Sequence, residues 1–89
     1  MMEKRVKEWM ISYIASVLDC EAETIEADAT FDILGLDSVE AVIMAGLMEE
    51  EFRVAIDPLE LYENPSIAAF AAHFVKQHAQ TGSEAGTPA

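Results

Sequence analysis

The stretch from Ser38 to Phe52 places the tightest limit on how this chain can fold. Read as a helix, at about 100° per residue, it is apolar on nearly every side. Ala41, Ala45, Met48 and Phe52 share one face, flanked by Met44, while Val39, Ile43, Gly46, Leu47 and Glu50 lie broadly opposite. A helix apolar all round is normally buried on every side. An 89-residue chain makes one small domain, and a domain of that size buries only about 60% of its unfolded surface. It cannot wrap such a helix completely, so one face is at least partly exposed. Phe52 and the two methionines mark the first face as core. That leaves Val39, Ile43 and Leu47 as an outward strip, with Glu40, Glu49, Glu50 and Glu51 nearby. An apolar centre inside a charged rim has the make-up of a docking surface. Packing of the strip under a loop or a short helix is the competing reading.

Charge is placed as unevenly as hydropathy. Five basic against 17 acidic residues give a net charge of −12. Between Asp19 and Glu63 stand 14 acids and one base, Arg53, so this segment alone carries −13. Such a surface repels phosphate backbones and anionic lipid, which argues against nucleic-acid and membrane binding and for basic partners. At 52% apolar residues the chain is too hydrophobic for a disordered acidic segment. Cys20 is the only cysteine, which leaves no intramolecular disulfide and no cysteine-based zinc cluster. The longest uncharged apolar run, Ala41 to Met48, is eight residues, far short of a membrane span. No signal-peptide pattern opens the chain. The expectation is a cytoplasmic monomer.

Helical spacing of Val6, Met10, Tyr13, Ile14, Val17 and Leu18 predicts an amphipathic first helix over about Glu3 to Leu18, with Trp9 bordering its stripe. A long connection follows, Asp19 to Leu36. Its apolar residues Ile25, Phe31, Ile33, Leu34 and Leu36 predict a loop pinned to the core, and Gly35 suits a tight turn. Asp37 is a good N-cap, and Glu40 three residues on gives a capping-box-like pattern for a helix reaching about Phe52. Arg53 to Ile56 reads as a loop, and Asp57-Pro58 opens a short helix to about Tyr62. After Asn64-Pro65-Ser66, a stripe of Ile67, Phe70, Ala71, Phe74 and Val75 marks the last helix. Residues 79–89 hold no Val, Ile, Leu or aromatic residue, which predicts a domain over 1–78 and a disordered tail over 79–89. The fold expected is an all-α four-helix bundle: three longer helices, a short third one, and a long loop between the first two.

Ser38 directly follows the cap. By position alone it is ordinary helix-start chemistry. A hydroxyl there is nonetheless exposed, and a helix N-terminus offers free N–H groups and a positive dipole end that favour a phosphate ester.

The segment Leu34-Gly35-Leu36-Asp37-Ser38-Val39-Glu40 resembles the Gly-x-Asp-Ser-Leu attachment motif of acyl and peptidyl carrier proteins. Glu49-Glu50-Glu51-Phe52 falls where such carriers commonly have an acidic run before a phenylalanine, and Val54 and Ile56 fit the apolar positions after it. Leu61 to Ile67 looks like the entry to the last helix of polyketide-type carriers, and Thr30-Phe31-Asp32 like the loop before the motif. The resemblance extends from the first helix to about Gln77. It implies 4′-phosphopantetheine joined to Ser38 through a phosphodiester, installed from coenzyme A by a phosphopantetheinyl transferase, with Asp37 helping that transferase place its metal ion. It further implies a protein that catalyses nothing. Cargo held as a thioester would be presented to acyl-loading, ketosynthase-type and unloading enzymes of polyketide, fatty-acid or related lipid biosynthesis, and sequestered between the helices.

Partner contacts are expected at Val39, Glu40, Ile43, Leu47 and Glu50. Two departures bear on them: Val39 replaces the motif's usual Leu, and Ile43 stands where many carriers have an acid. A peptidyl or aminoacyl carrier is the alternative within the family; an acidic helical adaptor without a prosthetic group is the alternative outside it. Other residues carry less. Cys20 has no histidine near it in sequence, and His73 and His78, five apart, do not share a face. A calcium loop over Asp28 to Val39 fails because Ile33 and Val39 occupy its glycine and terminal glutamate positions. No metal site is expected.

Overall fold

A computed structural model describes the backbone of residues 2–86 and the side chains of residues 2–78. It is all-helical: α1 (Met2–Leu18), a 3-10 turn (Ala22–Thr24), α2 (Phe31–Leu34), α3 (Ser38–Phe52), α4 (Leu59–Glu63) and α5 (Ile67–Gly86). The core forms where the apolar stripes converge. Val6, Met10 and Ile14 of α1, Met44 and Met48 of α3, and Ile67, Phe70 and Ala71 of α5 are fully buried. Phe52 joins from the side, its ring 5.4 Å from Phe74 and 6.2 Å from Trp9, which stacks on Tyr13 at 5.6 Å. Trp9 is thus a packing residue. Val17, expected in the α1 stripe, is exposed instead, because the stripe turns past it before the helix ends.

The long connection is more ordered than its irregular apolar spacing suggests. Thr30 caps α2 by accepting the Ile33 N–H at 3.2 Å, and Gly35 ends it at φ 95°. Only that left-handed φ demands glycine, since an added Cβ would meet nothing nearer than Leu18 at 4.0 Å. A four-residue helix is one turn long, too short to register as a period. Ile25, Phe31 and Leu36 are the anchors that reach the core, whereas Ile33 points to solvent. Backbone bonds finish the attachment: Phe31 N–H donates to the Pro65 carbonyl at 2.8 Å and Ala68 N–H to the Ala27 carbonyl at 2.9 Å. The loop between the first two long helices is therefore fastened to the start of α5.

Two helix starts differ from the expected pattern in an instructive way. At α3, Asp37 accepts the Glu40 N–H at 2.9 Å, but the Glu40 carboxylate accepts from the Tyr13 hydroxyl at 3.3 Å instead of closing the box. Just ahead of α4 a reciprocal pair of bonds does form. Asp57 Oδ1 accepts the Leu59 N–H at 3.0 Å, and Glu60 Oε2 accepts the Asp57 N–H at 3.0 Å. The last helix continues to Gly86, past residue 78 where the sequence suggests the domain ends. Side chains of the expected tail, 79–89, and all of 87–89 lie outside the described residues.

Gly46 sits exposed in mid-α3, and a Cβ there would meet nothing within 4 Å. Gly46→Ala is therefore expected to stabilise the protein by about 1 kcal/mol, the usual Gly-to-Ala difference in a helix interior. A urea titration checks it; an unchanged or lowered midpoint contradicts it.

Candidate functional site

Ser38 is presented by three local devices acting in sequence. Gly35 turns the chain out of α2, Leu36 sinks into the core, and Asp37 starts α3 with its side-chain cap. The Leu36 N–H donates to the Phe31 carbonyl at 2.9 Å, which fixes this approach. Ser38 is then the first helical residue and exposed. Among the described residues nothing hydrogen-bonds its hydroxyl. The hydroxyl thus projects from the positive end of a four-turn helix on a backbone held rigidly from both sides.

Beside Ser38 opens a cleft of about 370 Å³ between α2, α3 and α4. Phe31, Leu36, Ala41 and Leu61 form its apolar floor, and Val42 and Tyr62 stand at its rim. Nothing in the sequence marks Val42, Leu61 or Tyr62 as part of the site. A five-residue helix has no readable period, so nothing showed which of its side chains would face Ser38.

The face of α3 expected to point outward does so. Val39 is 66% exposed, Ile43 46% and Leu47 40%, so neither the loop nor α4 covers the strip. Its acidic rim is thinner than the sequence suggests. Glu49 Oε2 accepts the Ile56 N–H at 2.7 Å, and Glu51 lies 3.6 Å from the Arg5 guanidinium. Glu40 is half-buried against Tyr13, whose phenol is pushed above its ordinary pKa by burial first, then by the Glu40 charge and hydrogen bond. Glu50 alone of the four is exposed with no partner among the described residues. Cys20 is exposed and unpaired. His73 is engaged with Glu60. Among the described residues no helix is long and apolar enough to cross a membrane.

Comparison with known proteins places this geometry. The family model for the phosphopantetheine attachment site matches residues 8–74, three quarters of the chain and all of the Ser38 region. Over 83 residues the chain is 26% identical to a phenolphthiocerol/phthiocerol polyketide synthase of Mycobacterium tuberculosis. Over 73 residues it is 32% identical to malformin synthetase of Aspergillus homomorphus. Those alignments take in 93% and 82% of this chain but only 4% and 1% of the two synthases. Among solved structures, a free-standing peptidyl carrier protein of Acinetobacter baumannii superposes with a TM-score of 0.78 at 28% identity, covering 84% of this chain and 94% of that one. The HMG-ACPI domain of the CurA module of Lyngbya majuscula gives the same TM-score at 21% identity, over 90% of this chain and 81% of its own, a likeness of fold alone. A serine at a capped helix start, a four-helix scaffold with two added turns, and a family match across three quarters of the length converge: the chain belongs to the phosphopantetheine attachment site family of carrier proteins, which hold 4′-phosphopantetheine covalently.

Proposed function

We propose that this chain is an acyl carrier protein whose Ser38 bears the 4′-phosphopantetheine arm, and that it presents acyl intermediates to enzymes of polyketide or related lipid biosynthesis. The observation that supports this most directly is the free, exposed Ser38 hydroxyl at the capped start of α3, on the lip of the apolar cleft. The residues present fit the group. Free N–H groups and the dipole at the α3 terminus favour a phosphodiester there, and Leu36, Ala41 and Leu61 offer apolar surface beside it. When bound, the arm supplies the thiol that holds cargo as a thioester.

In this reading the chain's own residues bind, orient and advertise, and catalyse nothing. Asp37 spends one oxygen on the cap and keeps the other for the metal ion of a phosphopantetheinyl transferase. The −13 segment steers basic loading, ketosynthase-type and unloading enzymes onto the arm, and such steering raises association rates more than affinity. Val39, Ile43 and Leu47 supply the apolar contact, with Glu40 and Glu50 beside them. In this reading the protein works as a cytoplasmic monomer, with Ser38 open to transient partners.

The likeness to a free-standing peptidyl carrier favours a second reading, an aminoacyl or peptidyl cargo. Loading assays separate the two: charging of the modified chain from acyl-coenzyme A by an acyltransferase supports the first, and charging only by an amino-acid-adenylating enzyme the second. An unmodified chain under every transferase tested would support an adaptor instead.

Ile43→Glu is expected to slow loading by the chain's own partner about tenfold, as a charge replaces a central apolar contact. Transfer kinetics over a range of carrier concentrations check it. Unchanged kinetics would remove the strip from the docking surface.

A further inference from the structure

The short helix α4 is held to the rest of the protein by few groups. Leu61 is its one buried residue. Among the described residues, its single side-chain hydrogen bond to another helix is between Glu60 and His73 of α5. His73 Nε2 lies 2.9 Å from Glu60 Oε1, and both side chains are mostly withdrawn from water, 29% and 16% exposed. A carboxylate accepts and does not donate, so the shared proton sits on Nε2 and His73 is the donor. The other Glu60 oxygen accepts the Asp57 N–H at 3.0 Å. One carboxylate thus closes the start of α4 and ties that helix to α5. The tie matters because Pro58, Leu61 and Tyr62 form one wall of the cleft at Ser38, whereas His73 itself does not line it.

We propose that His73 is a positioning residue for the Ser38 site. Through Glu60 it holds α4 in place as the cleft wall, and so determines whether the arm and its cargo rest in the cleft or lie in solvent. This rests on the reading above that Ser38 carries the arm.

The test uses the full chain, before and after modification with coenzyme A and a broad-specificity transferase, with NMR amide exchange and chemical shifts as readouts. His73→Phe keeps a ring beside Phe70 and removes the donor; His73→Gln restores a donor of similar reach. In the modified wild type, Leu61 and Tyr62 should shift relative to the unmodified form. In His73→Phe, the α4 amides should exchange about tenfold faster or more, the scale set by losing a hydrogen bond to a charged group. Core amides of α1 and α5 should stay protected, the shifts at Leu61 and Tyr62 should vanish, and His73→Gln should recover both properties. Unchanged α4 exchange in His73→Phe overturns the proposal. So does loss of protection throughout α1 and α5, or an absence of cleft shifts in the modified wild type. Failure of the wild type to gain mass would instead strike the carrier reading, while the exchange data would still decide whether His73 fastens α4.

Discussion

Ser38→Ala should abolish covalent modification completely and leave the fold untouched. Incubated with coenzyme A and a broad-specificity transferase, the wild type should gain the mass of one arm and the variant none. The two halves of this expectation have different physical grounds. Loss of modification follows from chemistry, because alanine has no oxygen to carry a phosphodiester. Retention of the fold follows from the local structure. The Ser38 hydroxyl has no partner among the described residues, and the cap belongs to Asp37 through its bond from the Glu40 N–H at 2.9 Å. Alanine is also the best helix former. The stability change should therefore stay within about 0.5 kcal/mol, as for a surface site away from any special feature. A variant that still gained mass would show that another residue is the acceptor. One that lost several kcal/mol would show that Ser38 is a structural residue after all.

Phe74→Ala should produce the largest loss of stability. Phe74 is 1% exposed, and its ring stands 5.4 Å from Phe52 and 6.2 Å from Phe70. It is the link through which the α5 stripe meets the α3 terminus and, beyond Phe52, Trp9 of α1. Deleting a buried phenylalanine typically costs about 3–5 kcal/mol, from lost transfer energy and the cavity left behind. A whole domain is stable by only about 5–15 kcal/mol, and a small one sits toward the low end. With roughly 4–8 °C lost per kcal/mol in a chain of this size, thermal circular dichroism should show the midpoint fall by at least about 10 °C. A shift of only a degree or two would mean that the three rings do not form a packed cluster.

Several features of this structure could be read from residue types because the cause was local. Asp37 and Asp57 stand where a helix must start: Asp37 caps α3, and Asp57 accepts the Leu59 N–H just ahead of α4. The outward strip of α3 was legible for a different reason: a chain of 89 residues has too little material to cover a helix that is apolar all round. Where the cause was long-range, local patterns misled or were silent. Glu40 has the right spacing to close a capping box on Asp37, but Tyr13, 27 residues earlier, takes its carboxylate. The acidic rim thinned in part for the same reason, since Glu51 found a partner at Arg5, while Glu49 turned to the Ile56 N–H seven residues on.

The cleft was the least legible part. It exists because Leu61 buries itself and Glu60 reaches His73, which brings α4 over the start of α3. Nothing in five residues of helix announces that closure. The motif at Ser38 could be recognised in the sequence; the surface on which an arm could rest could not.

The central claim is that one hydroxyl among five serines carries the arm. It is tested most directly by modifying the wild-type chain, digesting it and sequencing the peptides by mass spectrometry. The expected result is a single addition, on the peptide spanning Gly35 to Glu40 and localised to Ser38, with Ser12, Ser16, Ser66, Ser83 and Cys20 unmodified. An addition at any of those residues, or none at all, would contradict it.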